Sequence, residues 1–446
     1  MKFTRRNFIK TSAAAGAAAS LFELGASSAN PAAGGDAPPT ESLRAWLQAD
    51  HDARKHKLEL CLQRIRELDP KIHAWVQVRP EKLTVDGPLF GIPYGAKDII
   101  ETRELVTEYG SPLYKGRMGP EDAAIIRQMR AHGAVLVGKT VTTAFAYRTP
   151  GPTRNPRNLE HTPGGSSSGS AAAVAAGMVP FTIGEQTRGS MIRPASYCGV
   201  TGFKPTYDLL PMEGVLPVSK SLDTLGLFTQ SAADTLGLWN ALGYSTGRDE
   251  QFAFGAAEPI PDCDPEMANA FRQSLSLLRN SGIRIQPVNI SDTLKKLDAA
   301  NDVLMFYEGA RYHEPRLKEF GDRLDQPLAA LIRDGLKIPE QRYEEAKQFV
   351  ADSRREFAEM FKSTPVMLTP AAPGPAPLGL STTGDPRMNA PWTALGTPAV
   401  TVPMPIASGL PLGLQLTADL GQDSTVLRAA VQLQERFSAG PTISAP

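Results

Sequence analysis

The chain has 446 residues, of which 41% are hydrophobic and 21% charged, with 47 basic residues against 47 acidic ones. That length supports one large core or two to three ordinary domains, and the balanced charge removes the global basic field by which a protein recruits nucleic acid. Three cysteines (Cys61, Cys198, Cys263) are too few and too sparse for a disulfide framework, and six scattered histidines with neither H-E-x-x-H nor C-x-x-C give no metal-site pattern.

In chain order, Thr4 to Lys10 reads T-R-R-N-F-I-K: two arginines followed by Phe8, Ile9 and Lys10. An Ala-rich, mildly apolar run from Thr11 to Leu24 then leads to small residues suited to cleavage near Ala29. The pattern is similar to a twin-arginine export signal, which predicts the Tat export machinery as a partner and a periplasmic or secreted destination. The apolar run is shorter than the about 20 residues of a membrane span, so no stable membrane insertion is expected. Removing residues 1–29 takes away Lys2, Arg5, Arg6, Lys10 and Glu23 and leaves a formal charge of −3. Residues 30–39 read as a linker, and 40–440 as one domain without an internal repeat or clear boundary.

Thr40 is a helix N-cap candidate, and apolar residues at 43, 47, 58, 62, 65 and 68 predict a helix or helix pair ending at Asp69-Pro70. "IHAWVQV" predicts a strand, "GPLFGIPYGAKDII" a turn and a buried strand ending near Lys97, residues 121–132 a helix, and "GAVLVGKT" a short buried strand. Ala171 to Ala176 predicts a small-residue helix and Met178 to Gly184 a strand. Such alternation argues for an α/β fold. Helical patterns dominate from Ser231 to about Phe361, broken by "EPIPDCDPE" and a strand around Ile283–Val288. "TPVMLTP", "PAVTVPMP" and "LPLGLQLTAD" predict late strands, and Thr425 to Phe437 a final helix. The Pro/Gly-rich loop from Pro370 to Pro391 is of the kind that forms a lid or pocket wall.

Two short motifs fail on context. Gly133 to Thr140 fits G-x-x-x-x-G-K-T, but its central Ala-Val-Leu-Val is a buried strand, not a phosphate cradle, and no acidic Walker-B strand follows. Gly165 to Gly169 fits G-x-S-x-G around Ser167, yet irregular sequence precedes it and only His313 lies downstream, against a Ser–His–Asp enzyme. S-x-x-K occurs nowhere.

A longer constellation remains. Lys97 ends a buried strand in "GIPYGAKD", "TPGGSSSGS" follows about seventy residues later, and Ser190 stands in a turn leaving a strand in "TIGEQTRGSMIRPASYCG". With "SLDTLGLFTQSAAD", these segments resemble the amidase signature family, from about residue 40 to 437 and most weakly between 245 and 365. The resemblance implies a single α/β domain with a mixed sheet of about eleven strands between helices. It also implies a Ser–cis-Ser–Lys triad, with Lys97 the base, Ser166 the bridging serine after a cis peptide, and Ser190, 24 residues further on, the nucleophile. The backbone N–H groups of Thr187, Arg188, Gly189 and Ser190 would form the oxyanion hole. The implied reaction hydrolyses a small-molecule carboxylic amide through a serine acyl-enzyme, with no metal or organic cofactor, and a homodimer is the candidate assembly. The chemistry is coherent: a serine hydroxyl needs a base, and a lysine with a pKa about 10.4 in water must be desolvated to serve near neutrality.

The chain departs from the family at "GEQTRGS", where the commoner form is G-T/S-D-T/I-G-G-S. Gln186 replaces a frequent Asp, so Arg193 would lose a charged partner; Arg188 replaces a Gly and could project a cation toward the substrate. Cys198 reads as buried packing, Asp98 as structural before a residue that orients the site, Arg154 and Arg157 as ties on the loop before the serines, and Tyr307 and Trp392 as core before pocket wall. Two other readings stay open: a glutamine amidase component of a tRNA-dependent amidotransferase, and a non-catalytic binding protein that kept the fold.

Overall fold

The computed structural model describes residues 41–82, 85–248 and 252–443. The expected export signal, the linker and Thr40 lie outside the described residues, all of which belong to one compact unit, 37–446.

Eleven strands form one mixed sheet: β1 (Trp75–Val78), β2 (Pro93–Lys97), β3 (Val135–Thr140), β4 (Phe181–Gln186), β5 (Thr201–Lys204), β6 (Thr224–Thr229), β7 (Phe254–Ala257), β8 (Ile285–Val288), β9 (Val366–Pro370), β10 (Ala399–Pro403) and β11 (Gly413–Ala418). Their spatial order is β1-β3-β2-β4-β6-β5-β10-β11-β9-β7-β8. β2 runs parallel to both β3 and β4, and β7 to both β8 and β9; the other pairs are antiparallel. Every residue of β2, β3, β4, β5, β6, β9 and β11 is buried. Uninterrupted burial of this kind needs cover on both faces of the sheet.

The helices that flank the sheet are α1 (Leu43–Gln48), α2 (His51–Ile72), α3 (Ala124–Ala131), α4 (Ser168–Ala175), α5 (Ile192–Cys198), α6 (Ala232–Ala241), α7 (Pro265–Asn280), α8 (Ser291–Phe320), α9 (Gln326–Gly335), α10 (Glu340–Ser363), α11 (Ala390–Leu395) and α12 (Asp423–Ala439). Most agree with the sequence pattern. The differences have local causes. Ser42 caps α1, its hydroxyl accepting from Ala45 N, and α2 continues two residues past Pro70. Pro70 sits in the last turn, where Asp69 closes the helix: its carbonyl accepts from His73 N at 2.8 Å and its carboxylate from Ala74 N at 2.6 Å. β5, β6 and β7 escape the alternation test because each is short, fully buried and carries a glycine, which weakens strand signals.

Two parts of this frame position the site. β2 and β4 are parallel neighbours, so their carboxyl ends, carrying Lys97 and Gln186, open at the same edge. Helix α4 lies close against the chain beside it because Gly169 has no side chain: a Cβ there would meet Ala74 O at 2.1 Å and Val141 N at 2.4 Å. Both contacts are backbone atoms already joined to each other at 2.9 Å and cannot swing aside. Gly169→Ala is therefore expected to destabilise the fold by about 3 kcal/mol, the upper end for overpacking. Urea unfolding checks this; a midpoint equal to wild type would contradict it.

Candidate active site

Lys97, the last residue of β2, is fully buried. Its Nζ donates to Ser166 Oγ at 2.7 Å, to Glu185 Oε2 at 2.9 Å and to the Glu185 carbonyl at 3.3 Å. Burial lowers the proton affinity of the amine below that of an ordinary lysine, opposed chiefly by the charge and the hydrogen bond of Glu185. Ser166 follows a cis peptide bond, Gly165–Ser166. The Gly165 carbonyl accepts from Arg193 Nη2 at 2.6 Å. Ser166 and Ser190 both line a cavity of about 810 Å³, with Thr187, Arg188, Gly189 and Arg193 beside them.

The neighbouring serines are occupied otherwise. Ser167, the centre of the G-x-S-x-G match, is fully buried, donating to the Glu185 carbonyl at 3.1 Å and accepting from Glu185 N at 3.3 Å. Ser168 donates to the Gly164 carbonyl, and Ser170 shares a hydrogen with Thr140. Lys139, of the G-x-x-x-x-G-K-T match, lies inside β3, bonded at 2.7 Å to the Ile100 carbonyl and Thr107 Oγ1 and 3.5 Å from Asp98. Asp98 also accepts from Glu108 N, so it is structural as expected. Arg154 holds the Leu159 carbonyl and Arg157 the carbonyls of Cys198 and Gly199, tying down the loop before the serines. Cys198 is buried against the Pro163 carbonyl, and burial pushes its thiol up to about 12. Trp392 is core; Tyr307 lines a second cavity, not the one with the serines.

The end of β4 and the turn after it correct two expectations. Gln186 does not face Arg193. Its Oε1 accepts from Met191 N at 2.8 Å and Ile192 N at 3.1 Å, and its Nε2 donates to Thr393 Oγ1 at 2.9 Å. It thus holds the start of α5, where helix amides have no intrahelical partner. Arg193 instead donates to the Thr383 carbonyl at 2.7 Å as well as to Gly165, without a carboxylate. Arg188 lines the cavity but is not a free cation: Asp298 and Asp302 of α8 flank its guanidinium at 2.5 and 2.7 Å. Asp298 and Asp302 lie in the segment where the sequence offered no motif.

The backbone amides of residues 187–190 donate to no other described residue, and all four residues line the cavity. The Pro370–Pro391 loop contributes Pro377 and residues 381–388 to the same wall, as expected of a pocket loop.

Two acidic residues were missed. Glu185 replaces the Thr or Ser of the commoner pattern, which was the one available signal; in sequence it reads as an ordinary strand residue. Asp223 lies just before β6. Thr187 Oγ1 sits 2.9 Å from Glu185 Oε1 and 2.7 Å from Asp223 Oδ1, while Asp223 Oδ2 accepts from Val218 N at 2.8 Å and Ser219 N at 3.0 Å. Burial, then the charge of Glu185, hold the Asp223 carboxyl well above the usual carboxylate range. No group of residues able to hold a metal ion occurs among the described residues.

The chain matches the Amidase family over residues 57–253 and 240–427, and so belongs to it; residues 2–22 match the twin-arginine translocation pathway signal sequence. It is 30% identical to a subunit of the glutamyl-tRNA(Gln) amidotransferase of Lysinibacillus sphaericus, over 87% of this chain and 94% of that one. A crystal structure of an amidase superposes with a TM-score of 0.81 at 28% identity, covering 89% of this chain and 100% of the other. The native peptide amidase of Stenotrophomonas maltophilia does so with a TM-score of 0.71 at 25% identity, covering 87% and 94%. Fold and family together define an enzyme of the amidase class. No described helix is long and apolar enough to cross a membrane.

Because Gln186 satisfies two buried amides and Thr393 at once, Gln186→Leu is expected to cost about 2–3 kcal/mol, the penalty for leaving such groups unpaired. Thermal and urea unfolding measure it. A stability equal to wild type would show that this loop does not depend on Gln186.

Proposed function

We propose that the protein is an exported serine amidohydrolase that cleaves a small-molecule carboxylic amide to an acid and an amine or ammonia. The observation that carries the reading is the 2.7 Å hydrogen bond between the buried Lys97 Nζ and Ser166 Oγ, beside the cavity that Ser190 also lines. In this reading Ser190 Oγ attacks the carbonyl carbon. Its proton passes to Ser166, and the proton of Ser166 passes to the unprotonated amine of Lys97. The carbonyl oxygen, now an anion, is met by the free amides of residues 187–190, donors that need no reorganisation as charge develops. The protons then return along the same path to the leaving nitrogen as the C–N bond breaks. Water attacks the acyl-enzyme by the same relay and frees the acid and Ser190.

Several features support this. Burial favours the neutral lysine that a base must be. A cavity of about 810 Å³ suits a small molecule, not a folded protein. The signal sequence supports a periplasmic or secreted enzyme.

The curated relatives favour a second reading, a glutamine amidase component of a tRNA-dependent amidotransferase. The export signal opposes it, because tRNA charging is cytoplasmic chemistry. A fluorophosphonate probe tests the catalytic reading directly. Wild type is expected to take up one label and Ser190→Ala none; an unlabelled wild type, or equal labelling of the variant, would leave a binding protein on an amidase fold. For export, Arg5→Lys combined with Arg6→Lys is expected to retain the protein in the cytoplasm. Unchanged delivery to the periplasm in cell fractionation would refute the twin-arginine route.

A further inference from the structure

The partners of Lys97 leave one carboxylate without a role in the relay. An amine that is to accept a proton has two hydrogens and one lone pair. Here two of the three directions around Nζ end on one residue, Glu185, through Oε2 at 2.9 Å and its main-chain carbonyl at 3.3 Å. The third ends on Ser166 Oγ at 2.7 Å. If both hydrogens of the neutral amine are held by Glu185, the lone pair has only Ser166 to face. Glu185 is itself almost fully buried, so its charge acts on Lys97 with little screening by water.

We infer that Glu185 is a positioning residue for the proposed amidase reaction: its two oxygens turn the lone pair of Lys97 onto Ser166, and its negative charge decides the pH at which that lone pair becomes free. The inference rests on the reading of Lys97 as the base.

The groups behind Glu185 determine which carboxyl carries that charge. Thr187 has a single hydroxyl hydrogen, yet its oxygen lies within hydrogen-bond distance of both Glu185 and Asp223. It can donate to only one, so the other carboxyl supplies a hydrogen. Asp223 has its second oxygen committed to two backbone amides, and its carboxyl is held well above the usual range. The consistent arrangement is a protonated Asp223 donating to Thr187, Thr187 donating to Glu185, and an ionised Glu185 facing Lys97. From β2, β4 and the segment before β6, the titratable groups around the lysine amine are Lys97, Glu185 and Asp223, so one negative charge faces it.

A negative charge beside an amine favours the ammonium, so Glu185 moves the onset of the base form to higher pH than burial alone would set. Glu185→Gln keeps an oxygen to accept from Nζ and removes the charge. The test reads the rate of fluorophosphonate labelling of Ser190 against pH, from about pH 5 to 10, in the full-length protein. In Glu185→Gln the acid limb is expected to move to lower pH by about one unit or more. Glu185→Thr removes the orienting oxygen as well, and is expected to show the same shift with a lower plateau. An acid limb that stays in place or moves to higher pH in either variant overturns the inference. So does failure of both variants to fold, because a side chain needed only to complete the packing would give that result. A wild type that does not label at Ser190 would instead overturn the proposed function, so the two failures are distinguishable.

Discussion

A lysine amine sealed away from water constrains everything around it. Lys97 cannot be solvated, so the hydrogens and the lone pair of Nζ must be met by protein groups, and the protein supplies Ser166 and two oxygens of Glu185. Once those contacts are required, Ser166 has to be presented at the carboxyl end of β2, and β4 has to run beside it in register. The parallel pairing of β2 with β4 delivers the second requirement. The turn into α4 and the grip of Arg193 on the Gly165 carbonyl deliver the first.

The same economy is visible at the end of β4 and in the turn that follows it. In this one short segment, Glu185 serves Lys97, Gln186 holds the start of α5, Thr187 links two carboxyls, Arg188 ties to α8, and Ser190 reaches the cavity. Side chains pointing in several directions anchor the segment, and this leaves its backbone amides uncommitted beside open space. A loop fixed by side chains with free amides is what stabilisation of an oxyanion calls for. The charge of Arg188 is spent on Asp298 and Asp302, so the cavity wall near Ser190 is an ion cluster, not an isolated cation.

Much of this is legible in the sequence where local pattern and chemistry coincide. A buried strand ending in lysine, a Gly/Ser-rich turn before a small-residue helix, and a serine just past a second buried strand are recognisable because each is confined to a short run. What is not legible depends on partners far away in the chain. In sequence Gln186 looks like a lost partner for Arg193, and only the fold shows it turned toward Met191, Ile192 and Thr393. Arg188 looks like a free cation because its acids lie 110 or more positions away on α8. Glu185 escapes notice because an acid in a strand has no periodicity to mark it, and its partner Lys97 is 88 residues back. Lys139 carries a phosphate-loop pattern yet lies closed inside β3, as the strand context argues.

Acylation of Ser190 by an amide is the step on which the proposed chemistry stands or falls. To observe it, the purified protein is mixed with a panel of anilides, quenched in acid within milliseconds to seconds, and weighed intact. For at least one anilide the protein is expected to gain the mass of the acyl group, mapped by peptide digestion to Ser190, with the aniline released in step. Aniline release with no protein adduct at any time, or an adduct mapped to another residue, would show that Ser190 is not the nucleophile.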